Sequence, residues 1–210
     1  MANTSRINGF RAVKHVNGSP YNGQANIYAT AASDGTAIFV GDPVKITSDA
    51  NAQGIQIVTK ATQGAAVLGV CVGVINTKLD PVGGSMTNGS IALDTPQYRP
   101  ASTAQYILVC DSPDVIYEVE AATGSNSAYS FAVADVGLNA DLTTVAGSTT
   151  TGTSGAALDM ATKATTATLQ FKIMGVVQRP DNEIGGNYTK VLAKINNAQL
   201  SAGTGTAGVA

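Results

Sequence analysis

The sequence predicts an all-β protein: a compact antiparallel β-barrel or sandwich of β-tulip or jelly-roll-like form, with an extended N-terminal arm and long loops. Three observations predict this class. Roughly ten short segments alternate apolar and polar residues or are rich in β-branched residues. Turns rich in glycine and proline separate them, and no segment has helical periodicity over the length that a stable helix needs.

The composition excludes several classes of protein. Only 12% of the residues are charged, and Ala, Thr and Gly together account for 79 of 210. A disordered chain needs low hydrophobicity and high net charge, whereas this chain is 44% hydrophobic with a net charge of −2. A coiled coil needs many more Lys, Glu and Arg residues. With 12 Lys and Arg and a pI near 5.2, the chain also lacks the basic surface of a nucleic-acid binder.

Residues 1–23 are polar and rich in turn-forming dipeptides such as Asn-Gly. Isolated apolar residues interrupt them, among them Phe10, Val13, Val16 and Tyr21. This pattern favours an extended arm that buries a few side chains against another surface, and a disordered terminus is the alternative.

Strands are predicted in chain order by alternation or by β-branched content. They lie at residues 26–30, 37–40, 44–47, 55–59, 66–75, 105–109, 114–120, 167–177 and 188–195. Residues 133–140 suggest a single helical turn between two of these strands.

Alternation also predicts which side chains face the core. In one strand, Val115, Tyr117 and Val119 are expected to point inward, and Glu118 and Glu120 outward. In another, Leu169, Phe171 and Ile173 are expected on the face opposite Gln170, Lys172 and Met174. In the last strand, Val191, Ala193 and Ile195 are expected to share one face.

The predicted organisation is an arm at 1–23, a β-core at 24–197 and a flexible tail at 198–210. The motif Thr-Lys-Ala-Thr occurs between strands at 59–62 and again at 162–165. Either the core contains two related β-units packed as halves of one barrel, or the match is coincidence in a chain rich in Ala and Thr. The loops at 80–100 and 147–155 are expected to contact partners.

The residues that carry catalysis or bind metals are scarce. His15 is the single histidine, and no phosphate-binding loop is present. Cys71 and Cys110 lie in apolar runs and are expected to be reduced core thiols. We therefore expect no enzymatic activity, no cofactor and no metal. The longest apolar run, at 65–75, is shorter than the ~18 residues that span a bilayer, and the N-terminus has no apolar signal segment, so no membrane contact is expected.

Several blocks of the sequence resemble the head proteins of tailed bacteriophages. They are RAVKHVNGSPYNGQ at 11–24, DGTAIFVGDPV at 34–44, YRPASTAQYILV at 98–109, VADVGLNA at 133–140, VQRPDNEIG at 177–185 and KINN at 194–197. Gly41-Asp42-Pro43-Val44 with Leu68-Gly69-Val70 is also similar to other small β-barrel decoration proteins.

The resemblance implies a capsid decoration, or cement, protein. Such a protein would be made in the host cytoplasm and bind the exterior of the phage head. Its partners would be the major capsid protein and further copies of itself, as a dimer or trimer. The residues expected to contact partners are Phe10, Val13, Val16, Tyr21, Tyr98 and Arg99. The alternatives are a head or tail fibre that binds host glycan, a small β-fold hydrolase or lyase, and another kind of coat subunit.

Overall fold

The computed structural model describes residues 3–75, 96–201 and 205–208, and in these ranges the protein is all-β, as predicted. It has eleven strands, and its helical content is one 3-10 turn at Val133–Asp135. The strands are β1 (Arg11–His15), β2 (Asn26–Thr30), β3 (Pro43–Ala50), β4 (Gln56–Lys60), β5 (Gly69–Ile75), β6 (Gln105–Cys110), β7 (Val115–Ala122), β8 (Asn139–Leu142), β9 (Leu158–Ala164), β10 (Phe171–Val176) and β11 (Lys190–Ile195).

Strands β2 to β6 form a closed five-stranded barrel in the order β2-β4-β3-β5-β6. β2 and β4 are parallel, and the other neighbours are antiparallel. The barrel is closed because β2 pairs with both β4 and β6, and the side chains that alternate inward along each strand fill it with a small apolar core. That core contains Tyr28, Ile38, Val44, Val58, Leu68, Cys71, Ile107 and Val109.

The second sheet has the order β1-β7-β11-β10-β8-β9, and an additional pairing joins β7 to β9. Strands β7 to β11 therefore also form a ring, with β1 added beside β7. Its core is the larger of the two and includes Tyr117, Phe131, Leu158 and Phe171. It also takes in Val70 and other apolar side chains from the outside of the first barrel, so the two barrels pack together through a shared apolar layer.

The two barrels have the same connectivity. β2 to β6 correspond in order to β7 to β11, and the one parallel pair, β2 with β4, corresponds to β7 with β9. Even an irregularity recurs. The β5–β6 register shifts between Cys71 and Gly73, which lies opposite Leu108. The β10–β11 register shifts between Ile173 and Gly175, which lies opposite Leu192. This shared register is typical of an internally duplicated fold.

The repeated Thr-Lys-Ala-Thr motif follows this correspondence. Ala61 donates its N–H to Pro43 O at the start of β3, and Ala164 pairs with Asn139 at the start of β8. The structure therefore places the two motifs at the ends of corresponding strands, β4 in the first unit and β9 in the second. Each unit is a ring of its own and not half of one barrel.

Residues 3–23 are not an arm that reaches away from the core. β1 pairs with β7, and the buried Phe10 ring stacks on Phe171. Alternation in Arg11–His15 and burial of Phe10 both favour docking on the chain's own sheet. The predicted tail is also held in part, because Gly208 donates its N–H to Thr165 O and Asn139 Nδ2 donates to Thr206 O.

Two inward/outward predictions are wrong. Glu120 is buried because it pairs with Lys190 Nζ at 2.9 Å and accepts the Arg6 N–H at 2.8 Å. Gln170 is buried because its side-chain amide bonds the backbone of Leu142, Thr62 and Ala65. Both polar groups are satisfied, which is the condition for burying them.

The remaining expectations for single elements are met in part. β1, β8 and β9 were not predicted, and the helical turn expected at 133–140 covers only Val133–Asp135, since β8 begins at Asn139. Residues 37–40 form isolated bridges and not a strand. The predicted core positions of β7 and β11 are buried: Val115, Tyr117, Val119, Val191, Ala193 and Ile195. Cys71 and Cys110 are free and buried, as predicted. No helix in the described ranges is long and apolar enough to cross a bilayer.

Candidate interaction surface

Large apolar side chains are exposed at several places on the described part of the chain. They are Val13, Val16, Ile27, Val133, Val136, Met174, Ile184 and Leu200. Val133 is the most exposed of them, with 71% of its surface accessible. Exposed apolar residues that cluster mark interaction surfaces, whereas single ones are ordinary.

Four of these residues lie around the 3-10 turn of the second barrel. Gly137 donates its N–H to Ile173 O at 2.9 Å, which places Val136 beside Met174. Gly185 donates its N–H to Phe131 O at 2.9 Å, which brings Ile184 close to the same turn. We call Val133, Val136, Met174 and Ile184 the Met174 face.

The turn that carries the Met174 face is fixed by a buried carboxylate. Asp135 accepts hydrogen bonds from the Ala132 N–H at 2.9 Å, from Tyr129 Oη at 2.7 Å and from Lys163 Nζ at 2.5 Å. Burial by itself raises the pKa of Asp135, but these bonds outweigh it and the net shift is downward. Asp135 is therefore ionised at neutral pH, and its carboxylate links the backbone of the turn to Tyr129 and Lys163.

A second exposed apolar pair lies at the end of β1: Val13 is in the strand, and Val16 directly follows its last residue, His15. Val13 and Val16 are 38% and 48% exposed, and they lie on the far side of β7 and β11 from Met174. The chain turns back after β1, and Tyr21 donates its N–H to Val13 O at 3.0 Å. This turn orders the segment, so both valines are presented from a fixed backbone.

A polar groove of about 450 Å³ lies between the N-terminal segment and the β10–β11 loop. The side chains of Arg6 and Arg11 are exposed beside it, and Arg179 is held by Glu118 at 2.9 Å. Tyr188 also lines it, in a left-handed backbone conformation with φ of 57°. Asn3 fixes one wall, since it accepts the Glu183 N–H at 2.7 Å and donates to Glu183 O at 2.9 Å.

The six predicted contact residues divide into three groups. Val13 and Val16 are exposed, as partner contact requires. Tyr21 and Tyr98 are half-buried; Tyr21 Oη donates to Gln24 O, and Tyr98 stacks on Phe39. The side chains of Phe10 and Arg99 are buried, so neither is available to a partner.

Arg99 is buried because its guanidinium binds backbone carbonyl groups of the first barrel. Its guanidinium donates to Thr103 O at 2.8 Å, to Thr36 O at 2.6 Å and to Ala31 O at 2.5 Å, and it lies 3.5 Å from Asp34. Arg99 is therefore not a partner contact, because it joins residues 31–36 to residues 99–103 within the chain. Sequence alone could not distinguish these two uses of an arginine.

Of the two loops that were expected to contact partners, the structure describes only one in full, and that loop contacts its own chain. Most of residues 80–100 lies outside the described residues. The threonine-rich loop at 147–155 packs on the first barrel of its own chain. Val40 donates its N–H to Gly152 O at 3.0 Å, and Ser154 Oγ donates to Asp42 at 2.6 Å.

The Asp42, Ser154 and Lys60 side chains have the composition of a hydrolytic site but not its accessibility. Lys60 Nζ lies 2.9 Å from Asp42, and both Asp42 and Ser154 are buried between the barrels. Ser154 Oγ accepts the Ala156 N–H at 2.9 Å while it donates to Asp42. The group therefore joins the two barrels, and a substrate cannot reach it in this conformation.

The described residues contain no group of three or more His, Cys, Asp or Glu that could hold a metal ion. Comparison of the whole chain with family models, with curated proteins and with solved structures finds no match. The Met174 face was not predicted as a contact site from the sequence. The one signal available was the alternation that placed Met174 on the outward face of its strand.

Proposed function

We propose that the protein is a non-enzymatic structural protein of a tailed-phage virion, a decoration protein that binds the outside of the head and stabilises contacts between major capsid proteins. The observation that supports this proposal best is the presence of two separate exposed apolar surfaces on one small chain. Val13 and Val16 lie at the β1 edge of the second sheet, and the Met174 face lies at β10 and the 3-10 turn.

Two surfaces suit a protein that joins neighbours. A cement protein has to bind the shell and to combine many weak contacts, and tethering on one shell lets modest contact energies add. We assign shell contact to Val13 and Val16, as expected from the sequence. The small number of charges supports the assignment, since few charges have to be desolvated when such a surface is covered.

A test uses empty shells of the particle that encodes the chain. Wild-type protein should bind stripped shells at a fixed stoichiometry, and cryo-EM should place it on the capsid exterior in many copies. The Val13→Asp/Val16→Asp double variant should bind at least about tenfold more weakly, because a buried charge is costly at an apolar contact. Ile27→Asp, at a similarly exposed apolar position of the first barrel, should bind like the wild type.

A fibre or adhesin that binds host glycan is the second candidate, and the polar groove favours it. Arg6, Asn8 and Tyr188 offer hydrogen-bond donors and an aromatic ring of the kind that sugar sites use. A glycan array with the isolated protein separates the two proposals. Specific glycan binding that Tyr188→Ala removes, together with density at the tail and none on the capsid, would replace the decoration proposal.

A further inference from the structure

The duplication makes it possible to compare one face of the two barrels directly. In the first barrel this face includes Val40, Val72 and Val70. The second barrel of the same chain covers it: Val40 pairs with Thr153 in a β-bridge, and Val70 belongs to the shared core, with Val72 packed against it.

The corresponding residues of the second barrel follow from the strand registers. Gly41 and Gly137 are equivalent, since each donates its N–H to the residue before a bulge, Cys71 O at 2.7 Å and Ile173 O at 2.9 Å. Val40 therefore corresponds to Val136. Lining up the two bulges in the same way matches Val72 with Met174.

This equivalent face is only partly covered. Residues 205–208 lie over one side, where Lys172 Nζ donates to Ala207 O at 2.9 Å and Gly208 donates its N–H to Thr165 O at 2.9 Å. Val136 and Met174 remain 36% and 43% exposed. The first barrel thus has a covered apolar contact, and in the part of the chain that the structure describes its counterpart on the second barrel is partly exposed.

What covers the face in the first barrel also has a counterpart. The covering element is the connection between β8 and β9, which follows Leu142 and contacts the first barrel through Gly152 O and the Val40 N–H. Its equivalent in the first barrel is the β3–β4 turn at 51–55. That turn is exposed and ordered, because Asn51 Oδ1 accepts the N–H groups of Gln53 and Ile55.

From this correspondence we propose that the Met174 face binds a second copy of this chain, through the β3–β4 turn of that copy. The contact repeats between chains the arrangement that already joins the two barrels within one chain. It is head-to-tail, so successive copies form a closed ring or a filament. The turn is shorter than the β8–β9 connection, so the contact between chains is smaller and weaker than the one within the chain.

Charge supports the same pairing. Asp49, next to the turn, is exposed and has no basic partner within the described residues. Lys172, beside Met174, has no acidic partner within the described residues either. Its Nζ donates a hydrogen bond to the carbonyl oxygen of Ala207. A head-to-tail contact brings these opposite charges to the same interface, which favours this orientation over one that joins two Met174 faces.

Sedimentation equilibrium of the isolated protein tests the inference without any capsid. The 21.2 kDa chain should associate in a concentration-dependent way. Met174→Glu should lower the association constant by about tenfold or more, because it places a charge in an apolar contact. Ile27→Glu, at a residue of similar exposure (46%) on the first barrel, should associate like the wild type. Circular dichroism confirms that both variants are folded.

Disulfide trapping tests the orientation. A chain carrying both Met174→Cys and Ala52→Cys should form interchain crosslinks under mild oxidation, and Met174→Cys alone should form few. A monomer at all concentrations, or equal loss of association in both glutamate variants, would overturn the proposal. So would efficient crosslinking of Met174→Cys with itself. The decoration proposal is judged separately, by binding to shells.

Discussion

The rings of Phe10 and Phe171 stack with their centroids 4.3 Å apart and an interplanar angle of 23°. Phe10 comes from the N-terminal segment, and Phe171 begins β10 in the middle of the second sheet. This contact makes residues 3–23 part of the core and changes what their removal would do. Deletion of the segment should destabilise the protein and not merely release it from a partner.

Replacing Phe10 should destabilise the fold severely. Phe10→Ala removes a ring that is 2% exposed and leaves a cavity against Phe171, which typically costs about 3–5 kcal/mol. Urea unfolding measures the free energy of unfolding. Val16→Ala, at a residue with 48% exposure, should change it by less than about 0.5 kcal/mol. Equal effects would mean that Phe10 is not in the core.

Two glutamates on β7 should differ in their importance. Glu120 is buried and binds Lys190, the Arg6 N–H and Ser5 Oγ, so Glu120→Ala leaves a cation without its partner and should cost about 3 kcal/mol or more. Glu118 pairs with Arg179, which is partly exposed, so Glu118→Ala should cost less than about 1 kcal/mol. Thermal unfolding at pH 7 checks the order, and a larger loss with Glu118→Ala would contradict it.

Alanine substitutions at Gly9 and Gly18 distinguish the cost of backbone strain from the cost of a steric clash. Both have positive φ, at 70° and 89°. A side chain at Gly18 meets open space, so Gly18→Ala should cost only the left-handed conformation, about 1–2 kcal/mol. A Cβ at Gly9 would lie 2.5 Å from Gly41 O, which is backbone and cannot yield easily. Gly9→Ala should therefore lower the midpoint of chemical unfolding much further than Gly18→Ala.

Asp141 should make stability depend on pH. Burial raises its pKa, the Gln170 N–H lowers it, and the nearby Asp159 charge raises it, with a net upward shift. A raised carboxyl pKa gives stability that is present below the unfolded-state pKa of about 3.9 and lost as the pH rises through the folded-state pKa.

Asp141→Asn removes this ionisation and keeps an oxygen that can accept the Gln170 N–H at 3.1 Å. Relative to the wild type, the variant should be more stable at pH 7 than at pH 4. Urea midpoints at the two pH values give the comparison. A difference that is the same at both values would show that Asp141 does not titrate with a raised pKa.

Cys71 should be chemically inert in the folded protein. Burial raises the pKa of its thiol to about 12, and the charge of Asp42 adds to this effect, so almost no thiolate forms at pH 8. An aromatic disulfide reagent should not label it in the native state but should label it in guanidinium. Ile27→Cys, which places a thiol at an exposed position, supplies the positive control. Rapid native labelling of Cys71 would imply that the first barrel opens.

Sequence patterns predicted most of the strands because alternation depends on local spacing. The strand at Asn26–Thr30 is predicted at its exact bounds, and the inward faces of β7 and β11 are correct. The predicted strand at 66–75 is too long at its start, since β5 begins at Gly69. An apolar run shows that residues are buried but not where hydrogen bonding to a neighbour begins.

By itself, the sequence determined the all-β class, the positions of eight of the eleven described strands and the repeated Thr-Lys-Ala-Thr motif, all of which rest on neighbouring residues. Only the tertiary structure decided that each motif belongs to a ring of its own, that Phe10 and Arg99 are buried, and that Val136 and Met174 remain partly exposed. These facts depend on contacts between residues far apart in the chain, such as Asp42 with Ser154 and Glu120 with Arg6. A buried polar residue and an exposed one look the same in a sequence, because the partner that allows burial is supplied by the fold.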